Sequence, residues 1–331
     1  MSAGETVRAI RIREPGGPEV LEMVEVHLPP PAPGELRVRV TTSGVNRADL
    51  LQRGGAYPAP LGFPEDIPGL EYAGLVEAVG PGCSVRKSGD RVMGVVAGGA
   101  YAEAINVRER ETIRAPEGVS LEQAGGIPEV FVTAWDALFR QARLTAGESV
   151  LIHAVGSGVG TAAVQLALAV GARPVGTSRS PEKVERAREL GLVLGVVGPE
   201  GWTHSVQELT DGHGADVILD LVGGAYLEGN LEAMARGCRW IVVGVPGGAL
   251  GQINLRRLMS QRATLRGTVL RSRSPEEKVI LARAFQDHVV PLFERGEVRP
   301  VVDTILPADK AAVAHRRLEA NDSFGKLLLR W

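Results

Sequence analysis

The segment Val150-Leu-Ile-His-Ala-Val-Gly156-Ser-Gly158-Val-Gly160-Thr-Ala-Ala163 constrains this chain more than any other. An apolar run stops at Gly156, small residues crowd the next positions, and an alanine-rich helical pattern follows. This reads as a buried strand over 149–155, a tight turn, and a helix over 159–170. Small residues let a ligand approach the backbone, and the free N–H groups at a helix start attract anions, so the turn suits a pyrophosphate. Its candidate binding residues are Gly156, Ser157, Gly158, Val159 and Gly160. The spacing departs from a strict G-x-G-x-x-G: in a frame ending at Gly160, the first two glycine positions hold Val155 and Ser157.

The surroundings support this reading. Strand-like runs over 173–178, 191–197, 215–222 and 239–245 alternate with helical runs from Ser180 onward, over 205–210 and over 226–235. Such alternation predicts parallel βαβ units wound into a Rossmann-type α/β sheet. Residues 1–126 look different. Short period-two runs over 35–41, 72–79, 90–96 and 101–107 are punctuated by Gly and Pro, as in a β-rich, barrel-like unit. After a strand over 262–270, two amphipathic helices over 274–295 and 308–320 and a strand over 326–330 leave the alternating pattern, and this tail is expected to rejoin the first unit. A length of 331 residues fits about two domains. The expected division is 1–126 and 269–331 as one domain and 127–268 as the dinucleotide-binding domain.

Composition excludes several classes. With 44% hydrophobic and 23% charged residues the chain is too apolar for disorder. Two cysteines, Cys83 and Cys238, cannot make a disulfide framework or a Cys-rich zinc module. A net charge of −2 gives no reason to expect nucleic acid. The stretch 149–172 lacks Asp, Glu, Lys and Arg and has membrane-spanning length, but its central glycines fit strand, turn and helix better. The charged N-terminus is unlike a secretory leader, so a soluble, cytoplasmic protein with no membrane partner is expected. There is no H-E-x-x-H, G-x-S-x-G or G-x-x-x-x-G-K-[ST] motif, which removes the main support for a zinc protease, a serine hydrolase or a P-loop NTPase.

The end of the second strand indicates which dinucleotide. NAD enzymes place a carboxylate there for the ribose 2′-OH. Here Ser178 and Arg179 stand at the strand end, and Lys183 lies one helical turn on. Two cations and a hydroxyl suit a 2′-phosphate, so NADPH is the expected cofactor. Surface charge is the alternative role for Arg179 and Lys183.

Further motifs, in order, are Gly44-Val-Asn46-Arg-Ala-Asp49 continuing to Gly55-Ala-Tyr57-Pro, Pro68-Gly-Leu-Glu71-Tyr-Ala-Gly74, Gly89-Asp90-Arg-Val92, Ala124-Gly-Gly-Ile-Pro128-Glu129, Leu219-Asp220-Leu-Val-Gly223-Gly224 and Gly325-Lys326. Together they resemble the medium-chain dehydrogenase/reductase family, in its zinc-free quinone oxidoreductase (zeta-crystallin-like) branch. The resemblance covers the whole chain and implies a GroES-like catalytic domain beside the Rossmann domain. Zinc-dependent relatives carry Cys, His and Cys at the positions of Asn46, Leu70 and Glu129. Asn and Leu are poor zinc ligands, so no metal is expected.

The resemblance implies hydride transfer from NADPH to a quinone, or to an enone or enoyl thioester. A non-catalytic NADPH-binding or nucleic-acid-binding protein is the reading of a different class. Tyr57, Asn46, Asp49 and Ser157 are the candidate catalytic residues. Tyr57 is either a proton donor or a wall of the cleft. Asn46 either donates to a carbonyl or stabilises a turn, and Asp49 organises the loop. Asn46, Thr133, Val222, Gly223, Gly244, Val245, Leu270 and Ser272 match positions along the cofactor. Lys326 either neutralises a cofactor phosphate or sits on the surface. His153 reads as structural. A homodimer through strands near 263–270 of the cofactor domain is also implied.

Overall fold

The computed structural model describes residues 4–198 and 201–331. The chain divides into two compact units, one made of Met1–Val132 with Leu270–Trp331 and the other of Thr133–Val269. Among the described residues, no helix is long and apolar enough to cross a membrane.

The first unit is β-rich. Strands Glu5–Ile12 and Leu21–Leu28 form an antiparallel pair. A mixed seven-stranded sheet runs in the order Val302–Pro307, Lys326–Arg330, Glu35–Val45, Glu71–Val79, Arg91–Val95 and Ile113–Arg114, with Ala104–Arg108 also pairing to Glu35–Val45. Strand Glu35–Val45 is central. Its alternating Leu36, Val38 and Val40 join Tyr72, Val76, Val92 and Leu329 in one buried core. The tail rejoins this unit as expected. Strand Lys326–Arg330 lies antiparallel to Glu35–Val45, with Leu327 opposite Val45, and parallel to Val302–Pro307.

The second unit is a six-stranded, wholly parallel sheet in the order Leu194–Val197, Arg173–Ser178, Ser149–Ile152, Ala215–Asp220, Met234–Val242 and Thr264–Gly267. This is the Rossmann-type doubly wound order, in which the strand sequence reverses beside Ser149–Ile152. The fold is therefore α/β, a Rossmann-type sheet joined to a β-rich GroES-like unit.

Several expected elements are shorter or broken, and three of them show a local cause. The helix over 274–295 divides into Pro275–His288 and Val290–Glu294. Pro291 is the cause, because it has no N–H to continue the ladder and its ring clashes with the carbonyl four residues back. The strand over 262–270 contracts to Thr264–Gly267, since Arg262 adopts a left-handed conformation (φ 54°) that ends helix Leu255–Gln261. The strand over 191–197 begins only at Leu194, because the N–H of Leu192 still bonds the Ala187 carbonyl of the preceding helix.

Candidate active site

The first unit gathers a buried polar cluster from four distant parts of the chain. Strand Glu35–Val45 runs into helix Arg47–Arg53 through Asn46. Glu71 begins the neighbouring strand, and Lys326 begins the C-terminal one. The Lys326 ammonium donates to Val45 O (2.7 Å) and Asn46 Oδ1 (2.7 Å), and lies 2.7 Å from Glu71 Oε1. The Asn46 amide Nδ2 donates to Glu71 Oε1 (2.9 Å) and Gly44 O (3.3 Å). Position 44 must be glycine, because a Cβ there would collide with the Glu71 carboxylate.

One expectation changes here and one alternative is chosen. Lys326 neither faces a phosphate nor sits on the surface; pairing of its strand with Glu35–Val45 draws its ammonium onto Glu71. Asn46 is committed at both ends of its amide, so it does not offer a free donor to a carbonyl and instead holds the turn.

Asp49 organises the loop. Its carboxylate accepts the N–H of Asn46 (2.8 Å), the N–H of Gly69 (3.3 Å) and the hydroxyl of Tyr101 (3.0 Å). Burial pushes Asp49 up to about 6, against those donors and Lys326. The Tyr101 oxygen lies 3.2 Å from His315 Nε2, and Arg53 donates to His315 Nδ1 at 3.1 Å. His315 is therefore neutral with its proton on Nε2, and burial followed by the Arg53 charge pushes it down to about 3. Arg53 in turn pairs with Glu319.

Tyr57 and Glu129 border this cluster. The Arg271 guanidinium lies 4.6 Å from the Tyr57 ring centroid and is held by Ala97 O (2.8 Å), Tyr57 O (3.0 Å) and Gln52 Oε1 (2.7 Å). Burial raises the Tyr57 phenol, opposed by Arg271. Glu129, in the first turn of helix Pro128–Trp135, donates its backbone N–H to Glu71 Oε2 at 2.8 Å. Its carboxyl is pushed up to about 8 by burial and then by Glu71.

In the second unit, the glycine turn joins strand Ser149–Ile152 to helix Gly158–Ala169. Ser157 is the N-cap, and its Oγ accepts the Gly160 N–H at 3.0 Å. That explains serine at the position where the resemblance leads one to expect glycine. A Cβ at Gly160 would strike the Ala154 carbonyl, and one at Gly156 would strike the Lys183 side chain. The N–H groups of Gly158 and Val159 find no protein acceptor among the described residues, as befits the open end of a helix. The turn thus suits a dinucleotide pyrophosphate.

At the strand ends, Ser178 Oγ accepts the Ser180 N–H (3.1 Å), and Arg179 is exposed. Asp220 Oδ1 accepts the N–H groups of Val222 and Gly223, each at 2.8 Å, which shapes that loop. Gly244 and the exposed Val245 follow strand Met234–Val242. Thr133 is buried at the start of this unit, whereas Leu270 and Ser272 flank Arg271 in the first. His153 lies between Thr177 Oγ1 (2.9 Å) and Asn230 Oδ1 (2.7 Å), and Asn230 continues to Asp220 (3.0 Å). Burial lowers its pKa and keeps it neutral, a structural role.

Sequence reasoning gave no role of their own to Arg271, Tyr101, His315 and Arg53, and it weighed Glu71 and Glu129 only as metal ligands. No local pattern assigns these residues their partners, which lie far along the chain. Among the described residues, no group of three or more His, Cys, Asp or Glu is arranged to hold a metal. At the positions where zinc-dependent relatives carry ligands, the Asn46 amide is engaged at both ends and Leu70 is a buried apolar side chain, a donor set that does not fit zinc.

Residues 32–140 match the alcohol dehydrogenase GroES-like domain, and residues 158–286 match the zinc-binding dehydrogenase domain. The chain is 35% identical to a quinone oxidoreductase of Rattus norvegicus over 341 residues, covering 99% of each. It is 35% identical to one of Pseudomonas aeruginosa, covering 95% of this chain and 96% of that protein. The crystal structure of a Pseudomonas syringae quinone oxidoreductase superposes with a TM-score of 0.88 at 31% identity, covering 98% and 100% of the two chains. A mycobacterial protein complexed with NADPH gives 0.87 at 30%, with the same coverage. The JamJ enoyl reductase gives 0.87 at 27%, covering 98% and 99%. The chain belongs to the medium-chain dehydrogenase/reductase family and is an oxidoreductase of the quinone oxidoreductase kind.

Proposed function

We propose that this enzyme reduces quinones with NADPH and without a metal. The observation that carries the reading is the Lys326–Glu71–Asn46 cluster, whose residues satisfy one another where zinc-dependent relatives hold the metal. With no Lewis acid to polarise the acceptor, the substrate must already be electrophilic, as a quinone is.

Bound NADPH would supply a hydride. The turn at Gly156, Ser157, Gly158, Val159 and Gly160 would hold its pyrophosphate on backbone N–H groups. Ser178, Arg179 and Lys183 would receive the 2′-phosphate, the basis for preferring NADPH to NADH. Thr133, Val222, Gly223, Gly244, Val245, Leu270 and Ser272 would position the rest of the cofactor. Tyr57 would donate a hydrogen bond from its hydroxyl to the acceptor oxygen, with the Arg271 cation against its ring helping to stabilise negative charge there.

An enone or enoyl-thioester reductase is the second reading, favoured by the likeness to the JamJ enoyl reductase. Rates of NADPH oxidation across para- and ortho-quinones, enones and enoyl thioesters separate the two. Fastest turnover with quinones supports the first reading, and fastest turnover with thioesters the second. Tight NADPH binding with no acceptor reduced overturns both.

We also propose a homodimer formed through strand Thr264–Gly267. All four of its residues are exposed, and the strand pairs on one side only, with Met234–Val242. A two-fold partner would satisfy that open edge. Light scattering on the purified protein tests it.

A further inference from the structure

We propose that the second unit carries a separate binding site for a small phosphate-bearing molecule, on the face of its sheet beside helix Asp136–Gln141. Every residue that forms the site belongs to that unit. The site is a cavity of about 490 Å3, within the range of small-molecule sites.

Sheet register lays its floor. Arg239 pairs with Thr264 and Ile241 with Arg266 across neighbouring parallel strands, so these four side chains share one face. Cys238 and Trp240, on the other face, join the apolar core. Arg140 and Arg143, at the end of helix Asp136–Gln141, form the wall. Glu148 stands just before strand Ser149–Ile152, whereas the glycine turn follows it. The cavity therefore lies at the opposite end of that strand from the turn that suits the cofactor.

Four guanidinium groups line this cavity, and only two of them are matched. Arg239 donates to both oxygens of Glu148 and to Ala142 O, each at 2.8 Å. Glu148 also accepts the Thr145 N–H at 2.8 Å, which completes its bonding. Arg140 lies 3.7 Å from the buried Asp136 carboxylate. Arg143 and Arg266 have no hydrogen-bond or ion-pair partner among the described residues. Like charges gathered in one cavity repel, and a bound anion removes that cost. A phosphate ester brings close to two negative charges at neutral pH, the complement of two unmatched guanidiniums. The planar fork of arginine also engages two phosphate oxygens at once.

The backbone of the wall is unusual in two respects. Helix Asp136–Gln141 is a π-helix, closed by the Ala142 N–H on Ala137 O at 2.9 Å, and such turns recur at functional sites. Arg143 then adopts a left-handed conformation, φ 53°, where glycine is the usual residue. Glycine would end the helix at lower cost and supply no cation. Arginine there carries the strain and adds a charge to the cavity, the pattern of a residue kept for a ligand.

Isothermal titration calorimetry with inorganic pyrophosphate, run with and without saturating NADPH, tests the site. A single equivalent of pyrophosphate per chain is expected to bind in the presence of NADPH, because the cavity and the glycine turn lie at opposite ends of strand Ser149–Ile152. Arg143→Gly suits the left-handed backbone and removes only the cation. That variant and Arg266→Gln are each expected to weaken pyrophosphate binding about tenfold or more, with NADPH affinity and quinone turnover unchanged. Citrate, a polycarboxylate, is expected to bind more weakly than pyrophosphate. No binding to the wild type, complete displacement by NADPH, or binding that survives either substitution overturns the proposal. Tighter binding of citrate overturns the choice of phosphate. A chain that reduces no acceptor defeats the reductase reading and leaves this test standing, since the arginine variants alone locate the pyrophosphate.

Discussion

The Lys326 ammonium lies 2.7 Å from the Glu71 carboxylate, with side-chain exposures of 4% and 0%. Val45 O and Asn46 Oδ1 engage the same ammonium. Burying two charges is costly unless their remaining hydrogen bonds are completed, and here they are. The pair ties the C-terminal strand to the turn after strand Glu35–Val45. Lys326→Met would leave Glu71 charged and buried without its cation, so chemical denaturation should show a loss of about 3–5 kcal/mol. The double variant Lys326→Met/Glu71→Gln should recover part of it.

Gly160→Ala forces a Cβ against the Ala154 carbonyl, so the turn must open. NADPH binding, followed by fluorescence titration, should weaken by about tenfold or more if that turn holds the pyrophosphate. An unchanged affinity would remove the turn from the binding site.

Arg179→Ala with Lys183→Ala should raise KM for NADPH about tenfold or more and change KM for NADH little, because only NADPH carries the 2′-phosphate. Equal effects on both cofactors would defeat the assignment of these residues.

Tyr57→Phe keeps the ring that Arg271 stacks upon and removes only the hydroxyl. Turnover of quinones and enones should drop about tenfold, the order expected for one lost hydrogen-bond donor to developing charge, with thermal stability unchanged. Undiminished kcat would make Tyr57 a wall of the cleft.

His315, held down to about 3, resists protonation in the folded chain, whereas an unfolded histidine takes a proton near 6.5. Its contribution is therefore complete above about 6.5 and is lost as pH falls toward 3, at about 1.4 kcal/mol per pH unit. Calorimetry between pH 7.5 and 4.5 should show Tm falling with acid. His315→Gln should start from a lower Tm and lose less of it on acidification.

Local chemistry made the nucleotide turn legible in the sequence. A glycine forced by a neighbouring carbonyl, a serine N-cap and an apolar strand all lie within a dozen residues, and backbone sterics act over that range. The alternating parallel sheet and the return of the tail followed from periodicity in the same way. The break at Pro291 was also present in the sequence as a residue, although the amphipathic pattern ran across it.

The charge states of the polar cluster were decided only by the tertiary structure. Lys326 reads as a surface or phosphate-facing lysine until its strand pairs with Glu35–Val45 and places the ammonium on Glu71. Asn46 reads as either a carbonyl donor or a turn stabiliser until that lysine and that glutamate take both ends of its amide. Glu129 and Arg271 acquire their chemistry from residues tens to hundreds of positions away. Desolvation and Coulomb interactions depend on distance through space, which sequence order does not record.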